Sequence, residues 1–179
     1  LNKIYLVACG TAMHAGLAGK CMIERLSKIP TEVDIASEFR YRDPIIDDKT
    51  LCIFISQSGE TADTIAALKL SKEKGAKTLA ITNVIGSSIT READYSIYTH
   101  AGPEIAVAST KAYTSQVVLF SLLALYFAQT LEISNSDVDD LRKEVLELPK
   151  KIEEVLKSAD TIKEFGHRIY QEKDVFSKK

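Results

Sequence analysis

Hydroxyl groups concentrate in three stretches of the 179-residue chain. Cys9-Gly10-Thr11-Ala12 follows one apolar run, and Ser56-Gln57-Ser58-Gly59-Glu60-Thr61 follows another. Glu104-Ile105-Ala106-Val107-Ala108-Ser109-Thr110-Lys111 precedes a long apolar stretch. The middle one is the most informative. Ser56, Ser58 and Thr61 stand around a single glycine where a helix should begin, so unbonded backbone N–H groups and the positive helix end would face an anion. Their hydroxyls and the Gln57 amide can donate to phosphate oxygens. No lysine or arginine lies in this turn, so dipoles and neutral donors would have to meet the charge. Glu60 sits beside the pocket, and this reading requires its carboxylate to point away. A plainer reading uses the same residues: Ser58 caps a helix and Gly59 relieves a turn. Both fit the residues alone.

Competing chemistry finds little support. There is no G-x-x-x-x-G-K-[ST] for a nucleotide P-loop, and Gly10, Gly16 and Gly19 do not match G-x-G-x-x-G. His14, His100 and His167 form no ligand spacing with one another or with a cysteine, so neither a metal nor a cofactor is expected. No nucleophile elbow of the G-x-S-x-G type occurs. His14 reads as a surface residue. Arg40 and Arg42 could reach an anion, but a structural ion pair or subunit contact explains them as well. Lys111 is either a distant electrostatic partner or a solvated first-turn lysine.

Strands must position these turns. Residues 3–8 and 50–55 are nearly continuous apolar runs, as in strands covered on both faces. Residues 32–36 alternate like an edge strand, and 78–82 and 95–99 read as further strands. Helical stretches are expected at about 13–27, 61–74 (closed by Gly75), 110–131 and 159–170. The order implies right-handed β-α-β units: a three-layer α/β/α fold with a flavodoxin-like parallel sheet of about five strands and trailing C-terminal helices. In such a sheet, ligands bind beyond the carboxyl ends of the strands, where all three hydroxyl-rich turns fall.

Charge divides the chain at about Leu131. Residues 1–131 hold 13 acids and 13 bases, whereas 132–179 hold 12 and 10 in far fewer positions. We expect a layered domain over 1–131 and a helical extension over 132–179. In the extension Val138, Leu141, Val145, Leu148, Ile152 and Val155 form a one-faced stripe, with Pro149 expected to end one helix and start another. Asp174-Val175-Phe176 reads as the start of a further strand, so the chain reads as a piece of a longer protein. The net charge of −2 argues against nucleic acid and against a polybasic membrane anchor. The longest apolar run, residues 117–128, would span only roughly 18 Å as a helix and reads as core rather than membrane. Cys9, Cys21 and Cys52, odd in number and without C-x-x-C spacing, suggest free thiols in a reducing, cytoplasmic compartment.

Four segments together resemble one family. Ala8-Cys9-Gly10-Thr11, Ala36-Ser37-Glu38-Phe39-Arg40-Tyr41, Ser56-Gln57-Ser58-Gly59-Glu60-Thr61-Ala62-Asp63-Thr64 and Ala108-Ser109-Thr110-Lys111-Ala112-Tyr113-Thr114 resemble the isomerase part of the glutamine–fructose-6-phosphate aminotransferases, or glucosamine-6-phosphate synthases. The serine-rich turn alone is common to many sugar isomerase (SIS) domains, while its combination with the other segments is more specific. The resemblance implies two tandem SIS domains behind a glutaminase domain, with this chain as the first SIS domain and its trailing helices leading toward the second. It implies an enzyme making glucosamine 6-phosphate from fructose 6-phosphate and glutamine, acting as a homodimer. By motif match, Ser56, Gln57, Ser58 and Thr61 should hold the phosphate, while Thr11, Val107 and Ser109 should line the sugar. One position departs: Ala12 stands where the family commonly has serine, which removes a hydroxyl donor to the sugar. The family's proton-transfer and imine-forming groups lie in segments not included here, so no catalytic residue is expected in this chain, and the fragment alone should not catalyse. The alternatives are a stand-alone SIS isomerase or deglycase, and the sensing domain of a sugar-responsive regulator.

Overall fold

Dense apolar runs become strands, and the stretches between them become helices. The computed structural model describes residues 1–104 and 109–172. In chain order the elements are β1 (Lys3–Ala8), α1 (Gly10–Ser27), β2 (Thr31–Ile35), α2 (Ala36–Phe39), β3 (Thr50–Ser56), α3 (Ala62–Glu73), β4 (Lys77–Thr82), α4 (Ser88–Glu92), β5 (Tyr95–Tyr98), α5 (Lys111–Thr130), α6 (Ser136–Leu156) and α7 (Ala159–Ile169). The five strands form one sheet in the order β2-β1-β3-β4-β5, and every pairing is parallel. This is the expected flavodoxin-like order, with the alternating strand β2 at one edge.

Alternation along the strands sorts two cores. Ile4, Leu6, Ala8, Ile53, Ile55 and Ile81 face α1 and α5, packing against Ile23, Leu26, Phe120 and Ala124. Tyr5, Val7, Cys52, Phe54 and Ala80 face the other way, against Phe39 of α2, Ala67 and Leu68 of α3 and Ile89 of α4. Burial on both faces is why the central strands read as unbroken apolar runs. The α1–α5 contact is close: a Cβ at Gly19 would stand 2.5 Å from the Phe120 ring, so glycine is required there. Although α5 is long and apolar enough to cross a membrane, it lays Ala112, Phe120, Ala124 and Ala128 into the sheet core.

Several boundaries differ from expectation. Helix α1 begins at Gly10, directly after β1, rather than near Met13. The short helices α2 and α4 were not anticipated. Pro149 does not divide the trailing helix, since α6 runs through it. The proline removes one N–H, but its place on an exposed side lets water serve the freed Val145 carbonyl. Leu1–Leu141 forms one compact unit, extending past the charge shift because Val138 is buried and Leu141 packs on the same core. A second unit begins at Arg142 and carries the rest of α6 and then α7. Residues 174–176, read as a strand start, lie outside the described residues.

Candidate functional site

After β1 the chain turns to β2 on one side, and after β3 it turns to β4 on the other. The crevice between the carboxyl ends of β1 and β3 is therefore the topological switch point of the sheet, where ligands of such folds bind. A cavity of about 200 Å³ opens there, lined by Cys9, Thr11, Ala12, Ile55, Ser56, Gln57, Ser58, Thr61, Ser109 and Gln116. The structure thus brings Thr11, Ser56, Gln57, Ser58, Thr61 and Ser109 around one space. Val107 lies outside the described residues. Gln116 was not singled out from the sequence.

The turn after β3 is held by its own side chains. The Ser56 hydroxyl accepts from the Gly59 amide at 3.0 Å and shares a 2.9 Å bond with the Thr61 hydroxyl. Two hydroxyl protons and one mutual bond leave one proton over for a guest. The Ser58 hydroxyl accepts from the Glu60 amide at 3.2 Å, so it shapes the turn instead of capping the helix. The N-cap of α3 is Thr61, not Ser58 as the plainer reading held. The first intrahelical bond runs from the Ile65 amide to the Thr61 carbonyl, so the amides of residues 62–64 have no acceptor in the preceding turn.

A second layer braces this turn from the β4–α4 connection. The Gln57 carbonyl accepts from the Asn83 amide at 3.0 Å, and the Gly59 carbonyl accepts from the Ile89 amide at 3.0 Å. Glu60 points away from the cavity: its carboxylate accepts from the Ser88 amide at 2.7 Å. That amide bond holds the Glu60 carboxyl below the usual carboxylate range. Gly59 has φ +68°, and a Cβ there would collide with Ser87, leaving no room for a side chain. Glu104 ties down the start of α5 by accepting from the Thr110 amide at 2.9 Å, which holds its carboxyl below the usual carboxylate range as well. Glu60 and Glu104 were missed as supports because each reaches a partner far along the chain or across a loop.

The other candidates are engaged or remote. Arg42 pairs with Asp34 at 2.6 Å, and Arg40 lies over the Tyr41 ring. His14 is exposed. A wider groove of about 560 Å³ on the opposite rim is lined by Lys3, Thr31, Glu32, Asp47 and Thr50 among others. Its charges are largely spent on each other: Lys3 pairs with Glu32 at 2.9 Å, and Asp47 accepts from Thr50 at 2.7 Å. In the switch-point cavity the sole ionisable group among the described lining residues is the Cys9 thiol. The arrangement therefore offers neutral hydrogen-bond donors for an oxygen-rich anion and no acid–base pair.

The profile of the SIS domain family matches residues 1–126. The chain belongs to the SIS domain family. This SIS chain is 58% identical over 177 residues to a glutamine–fructose-6-phosphate aminotransferase (isomerizing) of Clostridium tetani, covering 98% of this chain and 29% of that protein. It is 57% identical over 178 residues to the enzyme of the same name from Clostridium perfringens, with the same coverage. It therefore spans about 29% of the length of these relatives. Among solved structures, the C-terminal domain of glucosamine-fructose-6-phosphate aminotransferase from Francisella tularensis superposes with a TM-score of 0.87 at 38% identity, over 95% of this chain and 49% of that one. A glucosamine-6-phosphate deaminase from Thermotoga maritima shares the fold, with a TM-score of 0.65 at 21% identity over 84% and 45%.

Proposed function

We propose that this chain is the phosphosugar-binding half of the isomerase part of a glutamine–fructose-6-phosphate aminotransferase. Its partners would be fructose 6-phosphate or glucosamine 6-phosphate, a glutaminase domain, a second SIS domain and a second subunit. The observation that carries the reading is the convergence of Thr11, Ser56, Gln57, Ser58, Thr61 and Ser109 on one small cavity at the switch point. A volume of about 200 Å³ lies below the ~300–1,000 Å³ of drug-sized pockets and suits a compact polar ligand. The phosphate would sit on the 56–61 turn, receiving hydroxyl and amide donors from Ser56, Gln57, Ser58 and Thr61. The sugar would extend toward Thr11, Val107 and Ser109. Binding here is neutral-donor recognition of a dianion, strengthened because each hydrogen bond to a charged oxygen is worth about 1.5–3 kcal/mol.

Isomerisation needs a positioned acid and base, and none lines the cavity among the described residues. We assign those steps to segments outside this chain, so the isolated fragment binds sugar phosphate weakly or not at all unless dimerised, and does not catalyse. Residues 1–131 would be the SIS domain, with 132–179 a helical extension toward the second one. The exposed Leu122 and Tyr126 of α5 are apolar surface that a second subunit could cover. A cytoplasmic enzyme of amino-sugar biosynthesis accords with three free cysteines.

The test is calorimetric titration of the full-length gene product with fructose 6-phosphate. The double variant Ser58→Ala/Thr61→Ala should weaken binding at least a hundredfold. Unchanged affinity would show that the phosphate binds elsewhere.

A further inference from the structure

One polar side chain in the cavity has no structural task. The buried stripe of α5 runs Ala112, Gln116, Phe120, Ala124 and Ala128, five positions at four-residue spacing facing the sheet. Four are apolar, and Gln116 interrupts them while retaining only 2% of its accessible surface. Buried serines on the helices return a hydrogen bond to their own backbone: Ser27 to the Ile23 carbonyl at 2.7 Å, Ser71 to Ala67 at 3.0 Å, and Ser121 to Val117 at 3.2 Å; Thr64 of α3 is buried with its hydroxyl unpaired. The Gln116 carboxamide makes no hydrogen bond to any described residue. The sealed side-chain atoms without a partner among the described residues belong to Asp34, Thr64 and Ser87, so the Gln116 carboxamide is not shut inside the core. Such a break in an otherwise consistent apolar stripe is the expected mark of function. Gln116 also lines the switch-point cavity, so its polar end meets the space a ligand would fill.

We propose that Gln116 is a further binding residue of this site and a determinant of its specificity for a polyhydroxylated sugar phosphate. The inference rests on the phosphosugar reading given above. The 56–61 turn leads into α3 on one face of the sheet, whereas Gln116 and Thr11 come from α5 and α1 on the other. The phosphate is served by the turn, so Gln116 meets the sugar. Its carboxamide donates through Nε2 and accepts through Oε1, which matches a sugar hydroxyl or a hydroxyl beside a carbonyl. Being neutral, it adds no charge next to the dianion. A site that buries such a group rejects analogues lacking its partner, because the amide is then left unpaired.

The test uses the full-length gene product with Gln116→Leu, and Gln116→Met as a second variant of similar size. Each is titrated with fructose 6-phosphate and, separately, with inorganic phosphate, and each is melted with and without ligand. Loss of fructose 6-phosphate affinity by about ten- to a hundredfold is expected, with phosphate affinity changed less than about threefold. The unliganded variants should still unfold cooperatively, since a side chain of similar size fills the same place on α5. Equal loss for both ligands, or no loss for either, would overturn the proposal. Wild-type protein that binds neither ligand would overturn the underlying phosphosugar reading, and Gln116 with it.

Discussion

Replacing Gly59 with alanine should distort the proposed phosphate turn by a calculable amount. Two costs add. The first is conformational: φ is +68°, and a side chain in that left-handed region costs about 1–2 kcal/mol. The second is steric. The new Cβ would overlap the Ser87 side chain and stand 2.9 Å from the Thr82 hydroxyl, and such overpacking costs about 1–3 kcal/mol. The sum is about 2–5 kcal/mol, to be read from urea unfolding monitored by circular dichroism. Ser87→Gly separates the two parts, because it empties the space without changing φ at residue 59. In that background Gly59→Ala should cost about 1–3 kcal/mol less, and the double-mutant cycle should report a coupling of that size. Fructose 6-phosphate binding should be impaired in the single variant and partly restored in the double. Strict additivity would refute the reasoning, since it would mean that residues 59 and 87 do not crowd each other.

Two further outcomes follow from the site's surroundings. The Glu60 carboxyl is held low by the Ser88 amide, so its support of the fold is complete above the ordinary carboxylate value of about 4.3 and is lost as pH falls through its lowered one. The stability gap between wild type and Glu60→Gln in urea titrations should therefore be constant near neutrality and close below about pH 4.3; a gap independent of pH would contradict the contact. Cys52 is buried, which pushes its thiol up to about 11, whereas Cys21 is exposed and Cys9 lines the cavity. A thiol reagent at pH 7.5 should spare Cys52, label Cys21 whether or not ligand is present, and label Cys9 more slowly once fructose 6-phosphate is bound.

The parts of this fold that were legible in the sequence are those whose physics is local and dense. β1 and β3 are buried on both faces, so their apolar runs need no alternation to be seen. The hydroxyl-rich turn could be placed because it follows such a run and precedes a helical period. Helices α2 and α4 escaped notice, since four or five residues cannot display a 3.6-residue repeat. The start of α1 was set too late, because Cys9 offers no side-chain cap to announce it. Pro149 misled in the other direction: one missing N–H on an exposed side does not stop a helix whose other bonds survive. Gln116 could have been found from the four-residue spacing of Ala112, Phe120, Ala124 and Ala128, where it is the polar exception. The braces from Glu60 to Ser88 and from Glu104 to Thr110 join segments that only folding brings together.

The most direct test maps where a sugar phosphate lands. In heteronuclear NMR titrations of the isotope-labelled full-length gene product with fructose 6-phosphate, the backbone amides of Ser58, Gly59 and Thr61, with those of Thr11 and Ser109, should shift together along one saturating curve. The Gln116 side-chain amide should move with them. Shifts confined to the opposite rim around Thr31, Asp47 and Thr50, or none at saturating ligand, would contradict a phosphosugar site between β1 and β3.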